Sequence, residues 1–373
     1  MMQITKLKKN LLIYNNKLPI KQKSTNDTKQ TLLSPPPEII QQPVETQSPI
    51  KNKNLSEYYK NNLKYNKNNF NKNYFNKNNL TDNHQNFEQT ITNNNNNNNN
   101  SVNLDDYYSQ IDTFYKLYKC SKNEIDSNPK IEFRYICYKH IDDIRKLQLP
   151  EVNLNNKYEA VLIEYRCMPH LEFLIRNMIY KLGSEWSHTV VCGTLNYNFM
   201  IDMCNNIDKN IKIIKTKFDN LMPPYQYSQF LTTEEFWNMF VGDKILLYQE
   251  DSIIFKSNIN DFIEYDYVGA PWRKNCGLNM YDVGNGGFSL RTKQIMIDVI
   301  KKYPYNKQNK LFEDVYFTKN MINNNIGKVA KWDIASNFSS ELIYNPESLG
   351  GHAFWLSNKN WKEHVYDKII NKL

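Results

Sequence analysis

Four short stretches of this chain gather residue types that can do chemistry. Gln249-Glu250-Asp251 closes an apolar run, Gly284-Asn285-Gly286-Gly287 is a glycine-rich turn, Glu313-Asp314 opens an apolar segment, and Gly350-Gly351-His352 comes late in the chain. A carboxylate on the loop leaving a strand can hold a divalent cation, which clamps a diphosphate and neutralises it as it leaves. Asp251 is the expected ligand, and Glu250 either adds an oxygen or faces a sugar. His352 is the second expected ligand, because imidazole binds manganese-like ions beside carboxylates. Each has a plainer reading: an acidic pair capping the next segment, and a histidine packed among aromatics. Glu313 and Asp314 would be favoured at any helix N-terminus. The chemical reading makes Asp314 the base that takes a hydroxyl proton, with Glu313 as its structural or acceptor-binding partner. Asn285 offers both a donor and an acceptor to hydroxyls, and Gly286 and Gly287 let the backbone pass close to a ligand.

These residues need a scaffold, and the pattern around them is an alternation of strands and helices. Ala160 to Arg166 is a buried-strand run, which places Glu164 and Arg166 at its end as donor- or acceptor-binding candidates together with Gln249. Pro169 to Leu182 has helical period, with Leu171, Leu174, Ile175 and Met178 on one face and Gly183 as its stop. Thr189–Cys192, Ile211–Ile214 and Lys244–Gln249 read as further strands. Helices are expected from Asn196 to Cys204 and from a capped start at Thr232-Thr233. Upstream, Asp105 to Cys120 reads as a lead-in helix, Phe133–Tyr138 as a short strand, and Ile141 to Leu149 as a helix closed by Pro150. Asp266 to Trp272 is a strand ending in an aromatic loop, where Trp272 either stacks on a sugar or base or lids the core. The alternation predicts an α/β sheet with right-handed crossovers. Ligands collect at the carboxyl ends of such strands, so the loop at Gln249–Ser252 is the expected metal or phosphate site.

Composition divides the 373 residues in two. Roughly twenty of residues 51–100 are Asn, with Asn93 to Asn100 unbroken. Such a segment cannot bury enough apolar surface to offset the entropy of ordering, so residues 1–105 are expected to be disordered. A lead-in over 106–154 and a folded domain over 155–373 remain, enough for one sizeable core. Residues 1–100 hold 14 Lys and no Arg against 6 acidic residues, which is the whole of the chain's net charge of +8. These lysines are scattered, which fits compositional drift better than an electrostatic tether, so nucleic acid is not an expected partner. Six cysteines form no CxxC pair and fit a reducing, cytoplasmic setting. No apolar run is long enough for a transmembrane segment.

The ordered set Gln249-Glu250-Asp251, Asp266 to Trp272, Gly284 to Arg291, Glu313-Asp314-Val315 and Gly351-His352 resembles an uncharacterised family of GT-A-like glycosyltransferase domains. That family occurs in bacteria, fungi, algae and giant DNA viruses of amoebae. The Asn-rich tail and the Lys, Ile and Tyr bias resemble Mimivirus-type proteins, which would add the viral factory or the virion as a location. The resemblance covers about residues 155–360. It implies a GT-A-like single domain whose Rossmann-like nucleotide-sugar-binding half joins an acceptor half. It also implies Mn²⁺ or Mg²⁺, a UDP-sugar or similar donor, a glycan or protein acceptor, and an inverting reaction. The family's Asp-x-Asp element falls on Gln249-Glu250-Asp251, with Gln249 in place of the first Asp. Glu313-Asp314-Val315 is similar to the Glu-Asp-Val of β-1,3-galactosyltransferase-like enzymes, in which the second acid is the base. His352 corresponds to the late metal-binding histidine of GT-A enzymes. The departure at Gln249 keeps a second reading open, an inactive nucleotide-sugar- or glycan-binding module. The basic tail motivates a third, a structural virion component.

Overall fold

The computed structural model describes residues 114, 116–221, 225–273, 283–309 and 311–373. The expected disordered tail and most of the lead-in helix lie outside the described residues, as do Cys276, Tyr281 and Asp282. Helix α1 (Lys122–Ser127) starts from a capping box in which Ser121 and Glu124 satisfy each other's backbone N–H groups. Helix α2 (Pro129–Lys139) follows, then the single turn α3 (Ile141–Ile144). The strand expected over Phe133–Tyr138 is therefore helix. Asn128 caps it, Pro129 fills its first position, and Phe133, Ile136 and Cys137 bury one face at helical spacing. The aromatic and β-branched content suggested a strand, but the cap decides the conformation.

Strands and helices then alternate through β1 (Tyr158–Ile163), α4 (Leu171–Leu182), β2 (Trp186–Cys192), α5 (Tyr197–Ile207) and β3 (Lys212–Lys215). Helices α6 (Tyr225–Leu231) and α7 (Glu234–Trp237) lead to β4 (Lys244–Tyr248), β5 (Ser252–Ile254) and β6 (Tyr267–Val268). The remainder is β7 (Phe288–Thr292), α8 (Lys293–Lys302), α9 (Glu313–Asn323), α10 (Trp332–Phe338), β8 (Ser339–Ser340), β9 (Gly350–His352) and α11 (Trp361–Lys368). Gly183 ends α4 with a φ of 78°, as its position after the periodic run predicts. Thr233, one residue beyond the expected start, caps α7 by accepting the Phe236 N–H at 3.2 Å.

The large sheet has the order β3-β2-β1-β4-β7-β6. Its first four strands are parallel, β7 runs antiparallel to β4, and β6 antiparallel to β7. This is the expected α/β fold, with a Rossmann-like parallel half carrying an antiparallel edge. Its two faces bury alternate residues of the same strands. Ala160 and Leu162 of β1 join the core with α2 and α4, while Val161 and Ile163 join Phe236, Trp237 and Phe317 on the other face. Each buried Val, Leu, Ile or Phe among them contributes about 1.5–3 kcal/mol. The chain reverses its direction of sheet building between β1 and β4. Loops leaving the carboxyl ends of those two strands therefore flank a crevice, the place where open α/β sheets take ligands. Among the described residues no helix is long and apolar enough to cross a membrane.

Candidate active site

A cleft of about 410 Å³ opens at that crevice, and residues from nine separate stretches between Lys130 and His352 reach it. The first wall is the turn after β4. Gln249 donates its N–H to the Gly287 carbonyl at 3.0 Å, and the Ser252 hydroxyl donates to the same carbonyl at 2.6 Å. The turn then runs into β5, which pairs antiparallel with β9 so that Ser252 sits opposite His352. Ala353 adopts a left-handed φ of 44° and donates its N–H to the Asp251 carbonyl at 3.0 Å. This small second sheet is what brings Asp251 and His352 together. Their side chains stand 3.3 Å apart, Asp251 Oδ1 to His352 Nε2.

Glu250 points the other way, into a cluster of cations. Arg134 of α2 grips it with two bonds, Nε to Oε2 at 2.9 Å and Nη2 to Oε1 at 2.6 Å. Lys130, one turn earlier on α2, reaches both Glu250 Oε1 at 2.9 Å and Asp251 Oδ2 at 2.7 Å. Arg166 pairs with Glu164 at 2.7 Å and lies 3.3 Å from Glu250. Buried His170 donates Nε2–H to the Glu250 carbonyl, 2.9 Å away, and its Nδ1 is held by the Tyr118 hydroxyl. Burial alone would push the Glu250 carboxyl up, but His170, Arg134 and Lys130 hold it well below the usual range. For Asp251, burial likewise acts upward and His352 and Lys130 reverse it. Burial lowers His352, and the carboxylates of Asp251 and Glu341 overcome that, so its imidazole is held well above the usual histidine value.

The opposite wall is the glycine-rich turn and the start of α9. Here the left-handed residue is Asn285, at a φ of 77°, and not a glycine. Its Oδ1 accepts from the Gly287 N–H at 2.7 Å, and its N–H donates to Asp314 Oδ2 at 3.0 Å. Among the described residues its Nδ2 is buried without a hydrogen-bond partner while the residue lines the cleft, a donor poised for a ligand oxygen. Gly286 and Gly287 serve close approach. A Cβ on Gly286 would overlap Glu313 Oε1, and one on Gly287 would overlap the His352 ring. Gly286→Ala is therefore expected to push Glu313 off its partner and cost about 1–3 kcal/mol, read from the urea midpoint, whereas Gly183→Ala meets nothing within 4 Å and reports only the φ penalty.

Glu313 and Asp314 sit side by side in different surroundings. Glu313 is bonded by both terminal nitrogens of Arg291, which is completely buried, and Arg291 Nη2 lies 3.0 Å from Oε1. The guanidinium also lies over the Tyr267 ring at 4.8 Å. Among the described residues no cation pairs with Asp314. It accepts the N–H groups of Asn285 and Val315 at 3.0 and 2.7 Å, yet burial and then the neighbouring Glu313 charge raise its pKa to about 6. Two adjacent carboxyls with divided tasks are how one site obtains a base that works near neutrality.

The divalent ion implied by the family resemblance can be tested against these donors. Among the described residues Asp251 Oδ1 is buried without a hydrogen-bond partner, and His352 Nε2 faces it. Glu341 approaches the other ring nitrogen, Nδ1, at 3.3 Å, so one ion cannot be shared by both carboxylates through this imidazole. Glu341 instead orients the ring. No group of three or more His, Cys, Asp or Glu side chains able to hold a metal occurs among the described residues. Asp251 and a deprotonated His352 would supply two protein ligands, leaving the rest of an ion's shell to phosphate oxygens and water.

Of the residues singled out in the sequence, the cleft wall includes Glu164, Arg166, Gln249, Glu250, Asp251, Asn285, Gly286, Gly287, Glu313, Asp314 and His352. Glu250, also in the wall, is engaged by Arg134 and Lys130. Trp272 is not part of the wall. Its ring packs on Gly284, where a Cβ would overlap it, and its carbonyl accepts from Trp332 Nε1 at 3.0 Å. Sequence reasoning missed Lys130, Arg134 and Glu341. The signal for the first two was present, since Asn128-Pro129 announces a helix on which Lys130 and Arg134 are four apart. Glu341 follows a serine pair with no pattern to mark it.

Three solved structures illustrate what the chain is similar to. The mannosyltransferase PcManGT from Pyrobaculum calidifontis, in complex with GDP-Man and Mn²⁺, is 8% identical over 55% of this chain and 64% of its own, with a TM-score of 0.34. The apo glycosyltransferase GlyE of Streptococcus pneumoniae is 14% identical over 58% of this chain and 63% of its own, with a TM-score of 0.35. Mouse xyloside xylosyltransferase 1 is 10% identical over 57% and 92%, with a TM-score of 0.34. This chain thus spans just under two thirds of the first two. No curated protein matches it. Residues 210–352, from the start of β3 to His352, match the family described as a protein of unknown function, DUF5672.

Proposed function

We propose that this protein is a glycosyltransferase that moves a sugar from a nucleoside-diphosphate donor to an acceptor hydroxyl. One observation carries the reading: Asp251, His352 and Asp314, scattered over a hundred residues, line a single cleft at the sheet's switch point. Asp314, with a pKa raised to about 6, is suited to accept the hydroxyl proton as that oxygen attacks. Asn285 Nδ2 is placed to orient a hydroxyl. Asp251 and His352 would hold Mn²⁺ or Mg²⁺, which when bound neutralises charge on the departing diphosphate. Such a counter-charge is needed, because Lys130, Arg134 and Arg166 are already matched by Glu164, Glu250 and Asp251. A direct attack assisted by one base is the inverting course.

The test is a panel of UDP- and GDP-sugars with the full chain and Mn²⁺, scoring donor hydrolysis or transfer. At least one donor is expected to turn over, and Asp251→Ala is expected to lower that turnover about a hundredfold. Absence of turnover with every donor would end the enzyme reading. Donor binding by calorimetry without turnover would instead leave the binding module that Gln249 keeps open.

A further inference from the structure

Phe312 in the cleft wall, and Tyr225 stacked against it, are two aromatic side chains that the proposed chemistry does not use. Tyr225 opens α6 and Phe312 immediately precedes α9, and they are 40% and 44% exposed. Their rings stack at 6.0 Å and within 16° of parallel. The arrangement is fixed from below. Ser228, one turn along α6 from Tyr225, accepts the Glu313 N–H at 3.2 Å and so ties the two helix starts together. Phe312 itself lines the cleft, two residues before Asp314. A single exposed aromatic needs no explanation, but a rigid stacked pair beside the residue assigned as base does.

A pyranose ring is amphipathic in a way that suits such a pair: C–H groups cover its faces and hydroxyls ring its edge. We propose that Tyr225 and Phe312 form the acceptor subsite and that the acceptor is itself a sugar. It packs a C–H face on the aromatic pair and turns one hydroxyl toward Asp314. This rests on the glycosyltransferase reading above. In the transfer the acceptor hydroxyl gives its proton to the Asp314 carboxylate and its oxygen bonds to the donor's anomeric carbon. The bond from that carbon to the diphosphate oxygen breaks, and the nucleoside diphosphate leaves with the electron pair.

The experiment uses the full chain, whichever UDP- or GDP-hexose it hydrolyses, and a set of methyl hexosides as acceptors. Tyr225→Leu and Phe312→Leu retain apolar bulk and remove the flat face, and thermal melting shows that each folds. The ratio of transfer to hydrolysis is expected to fall about tenfold in each, through a raised acceptor KM. An unchanged ratio in both folded variants overturns the proposal. Weakened UDP or GDP affinity by calorimetry also overturns it, because the pair would then be a platform for the nucleobase. So does a wild-type protein that hydrolyses a donor yet glycosylates no methyl hexoside. A protein that hydrolyses no donor takes down the glycosyltransferase reading itself, which is a different result.

Discussion

Asp314→Asn is expected to slow transfer by about 10²–10⁴-fold, the range for losing a positioned general base. The side chain is nearly the same size and keeps one oxygen for the N–H of Asn285 or Val315, so the loss is chemical and not a collapse of the wall. The wild-type rate is expected to rise with pH on a limb centred near 6, where this buried carboxyl ionises. Glu313 contributes to that high value, so Glu313→Gln is expected to move the limb to lower pH. Stability should run the opposite way. The folded pKa lies above the ordinary Asp value of 3.8, so the proton is held more tightly in the folded chain. That contribution is complete below pH 3.8 and is lost as pH rises through about 6, an effect on the order of 3 kcal/mol. Activity and stability therefore trade off across one pH window. A rate limb that stays near 6 in Asp314→Asn would assign it to another group.

Arg291→Met is expected to give the largest loss of stability, about 3–5 kcal/mol, because it strands the Glu313 carboxylate in a buried wall. Domains of this kind have about 5–15 kcal/mol in total, so the variant should unfold at much lower urea. The guanidinium also loses its bond to Ser289 and its seat over Tyr267. Pairing the change with Glu313→Met removes the stranded charge, and most of the lost stability is expected to return. A single variant that loses less than about 1 kcal/mol would mean that water already reaches the pair.

Which parts of this molecule the sequence discloses follows from how local each signal is. The alternation from Ala160 to Gln249 and the stop at Gly183 read correctly because apolar period and capping act over a few residues. The turn at Asn285 read as a turn, but the reason for its glycines did not. Gly286 and Gly287 make room for Glu313 and His352, partners that no local pattern connects. Asp251 and His352 lie 3.3 Å apart, and the cause of their meeting, the antiparallel register of β5 on β9, spans a hundred residues and leaves no local signal. The role of Glu250 was least legible. Its partner Arg134 lies 116 residues away, on a segment whose aromatic content suggested a strand.

That last contact sets where the functional unit begins. The family match starts at residue 210 and the sheet at Tyr158, yet two of the cations on Glu250, Lys130 and Arg134, come from α2. A fragment trimmed to the sheet would keep the acidic loop but strip away two of its cations, leaving a buried anion to unravel the turn that presents Asp251. The helix ahead of the sheet is thus no appendage: it is the counterweight of the acidic loop, and any minimal version of the protein has to start upstream of Pro129.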